Sequence, residues 1–389
     1  MDAASTATWR REWVIREDTT YLNHGSFAPT PHSVRESQLA WQRELTAQPM
    51  DFYLRRYEQA WLEARQQLAG FLGAAAENLV FIENATAAMN VVAATVRLTP
   101  DDEVVLTDHE YGAVCRIWQR ACRQAGAAEP VTAQLPARIE SAEQLVDALF
   151  TAVTPRTRLL VVSHITSATA VTFPVERICQ QAQRRGIAVC VDGPHAPGQV
   201  PVSVDALGCD FYTASLHKWF SAPLGSGFLY VASAWHDRVV TPLLSWGRLE
   251  PQTPQRWWEE FVWTGTRDPS AYLATTAALE LLQRVGLDTF RTETHELARY
   301  ARGRLVELTG LQPAIPDSPD WYTAMAHAPL PPGDADALQR ALWDRHRIEV
   351  PVIEHNGQRA IRVSCHLYND RQQVDYLIDC LQARLADES

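Results

Sequence analysis

The sequence predicts an α/β fold: a large domain with a mainly parallel, helix-covered sheet, followed by a smaller α+β domain. Three observations carry this. Between about residues 55 and 230, segments with helical periodicity alternate with short apolar runs. Those runs lack the in–out alternation of a half-exposed strand, so they read as strands covered on both faces. After about residue 268 the alternation stops, and long helical patterns lead into a mixed segment. Strands that alternate with helices imply crossover connections and hence parallel pairing. The expected division is a large domain over 20–268 and a small domain built from 1–19 and 269–389.

Residues 55–72 have helical spacing and precede Leu79-Val-Phe-Ile82, a four-residue apolar run. Residues 84–96 read as helix, 103–106 as strand and 116–125 as helix. Leu159-Leu-Val-Val-Ser163 is a buried strand, 175–185 a helix, and 187–191 the most apolar strand. Strands at 211–214 and 228–231 complete the large domain. The small domain reads as helices at 271–285 and 287–308, a helix at 335–345, a strand at 360–364 and a closing helix at 370–384.

The 389 residues carry 35 Lys plus Arg against 46 Asp plus Glu, a net charge of −11. That balance argues against a general nucleic-acid binder or a binder of anionic membranes, which need basic patches. No apolar run reaches the ~18 residues of a membrane span. The polar stretch 1–16 has no signal-peptide apolar region. The seven cysteines are scattered, odd in number and without a Cys-x-x-Cys pair. They read as buried thiols of a reducing cytoplasm, with no metal site expected.

The basic residues are 34 arginines and a single lysine, Lys218. Arginine-favouring codons explain the scarcity of lysine but not the position of the one that remains. It stands in Ser215-Leu-His-Lys218, just after a short strand. A primary amine forms a Schiff base with an aldehyde cofactor, and a guanidinium, which stays protonated, cannot replace it. Other polar groups also cluster after strands, where ligands bind in open α/β sheets. Asn84-Ala-Thr86 opens a helix whose free N–H groups suit a phosphate, although Asn84 also reads as a routine cap. His109-Glu-Tyr111 and Ser163-His-Ile-Thr-Ser167 follow two strands, and Asp192-Gly-Pro-His195 follows the most apolar one. A carboxylate there needs a partner, because burying it unpaired is expensive.

Taken in order, Asn-Ala-Thr, Asp-Gly-x-His, Ser-x-His-Lys, Thr264-Gly-Thr266 and Ile361-Arg-Val-Ser364 resemble the class V aminotransferase family of pyridoxal 5′-phosphate (PLP) enzymes, of fold type I. The nearest likeness is to its isopenicillin N epimerase-like branch, which also contains C–S lyases. The resemblance runs from Tyr21-Leu-Asn-His-Gly-Ser26 to Ser364. It implies a seven-stranded large sheet and PLP held on Lys218, which would also be the acid–base at the substrate Cα. Asp192 would pair with the pyridine nitrogen, and Tyr111 would stack on the ring. His195 and Ser167 would lie near O3′. Ala85, Thr86, Ser215 and His217 would hold the phosphate. Gly265 and Thr266 would reach the phosphate of a neighbouring subunit, implying a homodimer. Arg362 would take the substrate α-carboxylate, with Asn23 and His24 on the substrate side.

The motifs describe a shared first half-reaction, removal of the Cα proton. Epimerisation then needs an acid opposite Lys218, for which Tyr111 and His24 are the candidates. β-Elimination by a C–S lyase needs only the lysine and a leaving group. Transamination needs a second-substrate site, which has no visible marker, and a cofactor-binding scaffold without turnover is the non-enzymatic alternative. Persulfide-forming desulfurases of the family carry a mobile cysteine ahead of the carboxylate arginine. Here no cysteine lies between Gly310 and Arg362, and Cys365 reads as core. Epimerase stands slightly ahead of lyase on overall resemblance. The stretch 235–263 holds five tryptophans and reads as a subunit interface before it reads as a substrate wall.

Overall fold

The computed structural model describes residues 8–248 and 254–388. Residues 1–7 of the expected small domain, residue 389, and 249–253 of the tryptophan-rich stretch lie outside the described residues. Twelve strands are present among the described residues. In chain order they are β1 (Thr20–Tyr21), β2 (Leu79–Ile82), β3 (Glu103–Thr107), β4 (Val131–Ala133), β5 (Thr157–Ser163), β6 (Ala188–Asp192), β7 (Phe211–Ser215), β8 (Gly227–Val231), β9 (Met325–Pro329), β10 (Ile348–Glu349), β11 (Val352–His355) and β12 (Gln358–Ser364).

Seven of them form one sheet in the order β2-β8-β7-β6-β5-β3-β4. The pairs from β7 through β6, β5 and β3 to β4 are parallel, and β8 is antiparallel to both β7 and β2. Strands β2, β3, β6, β7 and β8 are buried at every residue, as continuous apolar runs under helices on both faces require. Because β2 runs with β7, the C-terminal ends of β2, β3, β5, β6 and β7 gather at one edge. Register aligns that edge: Ser163 pairs with Asp192, Asp192 with Thr213, and Gly227 with both Ser215 and Ile82.

A three-stranded antiparallel sheet, β11-β12-β9, forms the second layer, and β1 pairs with β10 in a short parallel ladder. Helices Thr275–Val285, Leu287–Thr309, Ala335–His346 and Arg371–Glu388 belong to this half of the chain. The helix expected over 271–285 is divided into Ser270–Leu273 and Thr275–Val285. The Thr275 and Thr276 hydroxyls donate to the carbonyls of Tyr272 and Leu273 at 2.6 and 3.0 Å, competing with helical N–H donors. Helices His32–Ala47 and Ala142–Thr151 and strands β4, β9 and β11 are additions to the sequence-based expectation.

Candidate active site

Each strand end delivers one polar group to a cavity of about 410 Å³. β2 leads into helix Ala85–Thr95, whose N-cap Asn84 accepts the Ala87 N–H at 2.9 Å. The Ala85 N–H donates to Ser215 Oγ at 3.0 Å, tying the helix start to the end of β7. Thr86 faces outward from the first turn, where amides have no intrahelical partner. This close approach depends on Gly227: a Cβ there would lie 2.6 Å from the Ala214 carbonyl oxygen and 2.9 Å from Asn84 Cα. His217 lines the same end, and its Nδ1 is buried without a partner. Burial lowers the His217 imidazole to about 4. The Thr86 N–H and hydroxyl and an orphaned ring nitrogen beside a helix N-terminus form a cradle for a phosphate, while the Ala85 N–H is taken by Ser215.

Asp192 closes β6 at 3% exposure. Its Oδ1 accepts the Thr213 hydroxyl at 2.8 Å across the β6–β7 register. Burial raises its carboxyl to about 6, opposed by the Thr213 hydrogen bond and the Lys218 charge. A cationic N–H in the cavity is the partner this carboxylate lacks.

Lys218 Nζ lies 3.1 Å from His195 Nε2. On the far side of that ring, Trp219 Nε1–H donates to His195 Nδ1 at 3.2 Å. An indole nitrogen only donates, so His195 Nδ1 carries the lone pair and Nε2 the proton. Nε2–H therefore points at Lys218 Nζ, which must accept as a neutral amine. The electrostatics agree: burial, then the Arg362 charge, lower Lys218 to about 7, while Asp192 opposes them. Burial holds His195 neutral, far below the usual imidazole range.

Arg362, in the middle of β12, donates to the Ser167 carbonyl and, at 2.8 Å, to Ser26 Oγ. Longer contacts of 3.4 Å reach Ser167 Oγ and Asn23 Oδ1. Its Nε has no partner, and among the described residues no carboxylate pairs with it. Burial lowers this guanidinium to about 10. A buried cation held only by neutral oxygens is matched to an incoming carboxylate.

Of the residues expected from sequence, Ala85, Thr86, Tyr111, Ser167, Asp192, His195, Ser215, His217 and Lys218 line this one cavity. Tyr111 is 52% exposed at its mouth. Asn23 is buried behind Arg362 and donates to Glu349 Oε1 at 3.1 Å. His24 is placed differently from the expected substrate contact. It is fully buried, with Nε2 against the Lys218 carbonyl at 3.1 Å and Nδ1 on the Tyr368 hydroxyl at 2.8 Å. Both ring nitrogens are committed, and the ring stacks on His366 at 4.1 Å, so His24 props the lysine's backbone from behind. Gly265 and Thr266 do not line the cavity of their own chain. Sequence reasoning missed Ser26 and Phe27, which follow the Asn-His-Gly stretch. Phe27 stacks against His217 at 6.2 Å and walls the mouth.

The cavity thus brings together a lysine amine, a buried carboxylate and a helix N-terminus, with a buried guanidinium next to Ser26 and Ser167 of its lining. The chain belongs to the class V aminotransferase family, whose model, "Aminotransferase class-V", matches residues 20–377. It is similar to isopenicillin N epimerase of Amycolatopsis lactamdurans, 37% identical over 98% of this chain and 99% of that one. The isopenicillin N epimerase of Streptomyces clavuligerus is 36% identical over 97% and 99%. An L-cysteine desulfhydrase of Arabidopsis thaliana is 26% identical over 94% and 88%. The likeness in fold extends to the cysteine desulfurase CsdA of Escherichia coli, with a TM-score of 0.80 at 23% identity over 98% of both chains.

Proposed function

We propose that the chain is a PLP-dependent amino-acid epimerase of the isopenicillin N epimerase type. Two full-length relatives of that name at 36–37% identity carry this reading. The residues present suit the cofactor: Thr86, Ser215 and His217 would hold its phosphate, Asp192 would pair with its ring nitrogen, and the Lys218 amine would take its aldehyde. Once bound, PLP supplies an electron sink that makes the Cα–H of an attached amino acid acidic. Arg362 orients the substrate by its α-carboxylate. Lys218 Nζ, whose neutral form is well populated at neutral pH because burial lowers the amine to about 7, takes the Cα proton. His195 holds that amine in position through Nε2–H. Inversion needs a second proton donor. With His24 committed behind the lysine, the Tyr111 phenol is the group for that role.

A second reading, β-elimination from a cysteine-type substrate, is favoured by the desulfhydrase relatives and needs no second acid. Persulfide chemistry has little support: Cys365 is fully buried and burial pushes its thiol up, far from nucleophilic use. The holoenzyme incubated in D2O with isopenicillin N, other L-amino acids and cysteine conjugates separates these. Epimers carrying deuterium at Cα support epimerisation; pyruvate and ammonia identify a lyase; a new amino acid that requires a keto acid identifies an aminotransferase.

We place the active unit as a homodimer in the cytoplasm. Seven free cysteines suit a reducing compartment. Among the described residues, no helix is long and apolar enough to cross a membrane. Tyr53 donates to the Arg267 carbonyl at 2.7 Å and packs on Trp263, whose N–H donates to Gly247. Close in sequence to these contacts, Met50, Leu244 and Trp246 are exposed apolar side chains. Of the other tryptophans in this stretch, Trp235 and Trp258 are core and Trp257 and Trp263 half-buried, which suits an interface floor more than a substrate wall.

A further inference from the structure

A second cavity, of about 630 Å³, opens at the seam between the two sheets. Its origin lies in strand alternation. On β12, Gln358, Ala360 and Arg362 point to one face, and their register partners His355, Pro329 and His327 share it. The face that sends Arg362 toward the active site therefore sends His327 and His355 into the neighbouring cavity. Both have a buried Nε2 with no partner. From the large domain, His109 enters the same space, its Nδ1 on Thr169 Oγ1 at 2.7 Å and its ring edge-on to His355 at 4.7 Å.

Burial keeps all three imidazoles neutral: His109 is lowered to about 4, His327 to about 3, and His355 is lowered too. Each neutral ring has one N–H to give. Arg362 and Arg302 add positive potential around His327. Asp108 is the one carboxylate among the lining residues, and it is already used. Its Oδ1 accepts the Leu135 N–H at 3.2 Å and its Oδ2 accepts Asn356 Nδ2 at 3.0 Å. Among the described residues no three His, Cys, Asp or Glu side chains are arranged to hold a metal ion. What the cavity offers is unspent N–H donors, with the positive potential of Arg362 and Arg302 at His327 and the Asp108 charge on the side of His109 and His355, beside Leu135, Ile139, Val171 and Leu311.

We propose that this seam cavity is a ligand site for a small carboxylate with an apolar body, its carboxylate held by His327 and His355. Occupancy is transmitted to the active site, because the two cavities share one wall. Ser163, Ile165 and Ser167 line the active-site cavity, whereas Thr169 and Val171 line the seam. Between them Ala170 sits at φ +58°, a conformation that a residue with a Cβ holds under strain. The Ser167 carbonyl, two residues from Thr169, is an anchor of Arg362.

The test uses the holoenzyme, with hexanoate as probe and hexanamide as its uncharged match, followed by calorimetry and by substrate KM. Because Arg362 also takes carboxylates, Arg362→Leu serves as the control for the active site. His355→Leu and Ala314→Trp alter or fill the seam away from the reacting groups. The expected result is saturable hexanoate binding in the wild type and in Arg362→Leu, weakened at least about tenfold for hexanamide and in both seam variants. Substrate KM should shift with hexanoate in the wild type and stay fixed in Ala314→Trp. Absence of saturable binding, equal binding of hexanamide, or binding lost in Arg362→Leu but kept in Ala314→Trp would each overturn the proposal. The binding outcomes are read by calorimetry without turnover, so the seam site and the proposed epimerase activity fail separately; only the KM arm rests on that activity.

Discussion

Lys218 and Asp192 stand at or just past the ends of strands in the seven-stranded sheet, whereas Arg362 stands in the middle of a strand of the three-stranded sheet. The difference divides the work. Strand ends open into loops and a helix N-terminus, so topology alone gathers an amine, a carboxylate and an anion cradle at one edge. A mid-strand guanidinium is fixed by ladders on both sides, to β9 and β11, and is delivered across the seam. The amine, carboxylate and anion cradle are thus carried by the large sheet, and the distance between amine and guanidinium is set by how the two layers meet.

Variants on the two sides should fail differently. Lys218→Ala should lower turnover by about 10⁴-fold and remove any borohydride-trappable PLP adduct; since no other lysine exists, a surviving adduct would refute the assignment. Arg362→Leu should load cofactor normally, by its visible absorbance, yet lose about 2–4 kcal/mol of substrate recognition in kcat/KM. Loss of cofactor in that variant would break the division between the sheets. Tyr111→Phe should slow epimerisation about 10²-fold while Cα–H exchange with D2O persists, measured by mass spectrometry. Equal loss of both would move Tyr111 from proton donor to ring support.

The acid–base state of the large-sheet edge gives a smaller effect. Burial depresses the Lys218 amine to about 7, so its neutral form grows as pH rises through that value. Apoenzyme should take up PLP about tenfold faster at about pH 8 than at about pH 6, read by absorbance, with Arg362→Leu shifting the profile upward because the guanidinium disfavours the charged amine. The smallest expected change is Gly227→Ala. Its Cβ meets backbone on two sides, so stability should fall by about 1–3 kcal/mol in thermal unfolding, with phosphate affinity falling beside it.

The same contrast explains what the sequence made legible. Strands β2, β5, β6, β7 and β8 read as uninterrupted apolar runs because helices cover both their faces, and a lone lysine beside Ser and His was conspicuous. β4 is three residues long behind Pro130, too short to show a period. β9 ends in a proline and carries His327, and β11 carries Glu354 and His355, so neither resembles a buried strand. Arg362 was found through its motif and not its environment, and His327 and His355, paired to β12 only by register, had no local signal at all. His24 was misplaced because its neighbours Asn23 and Ser26 do approach Arg362; nothing local says that the ring turns away toward Tyr368.

The solitary lysine has a chemical consequence of its own. Acylating reagents that attack amines will find no side-chain target on the arginine surface of this protein, apart from any chain-terminal amine. The one they can modify is half-buried in the cavity against His195. Its rate of acylation in the apoenzyme, followed by intact mass, becomes a clock for how often the cavity opens. Slowing of that clock by a ligand at the seam would report contact between the two layers without any turnover being measured.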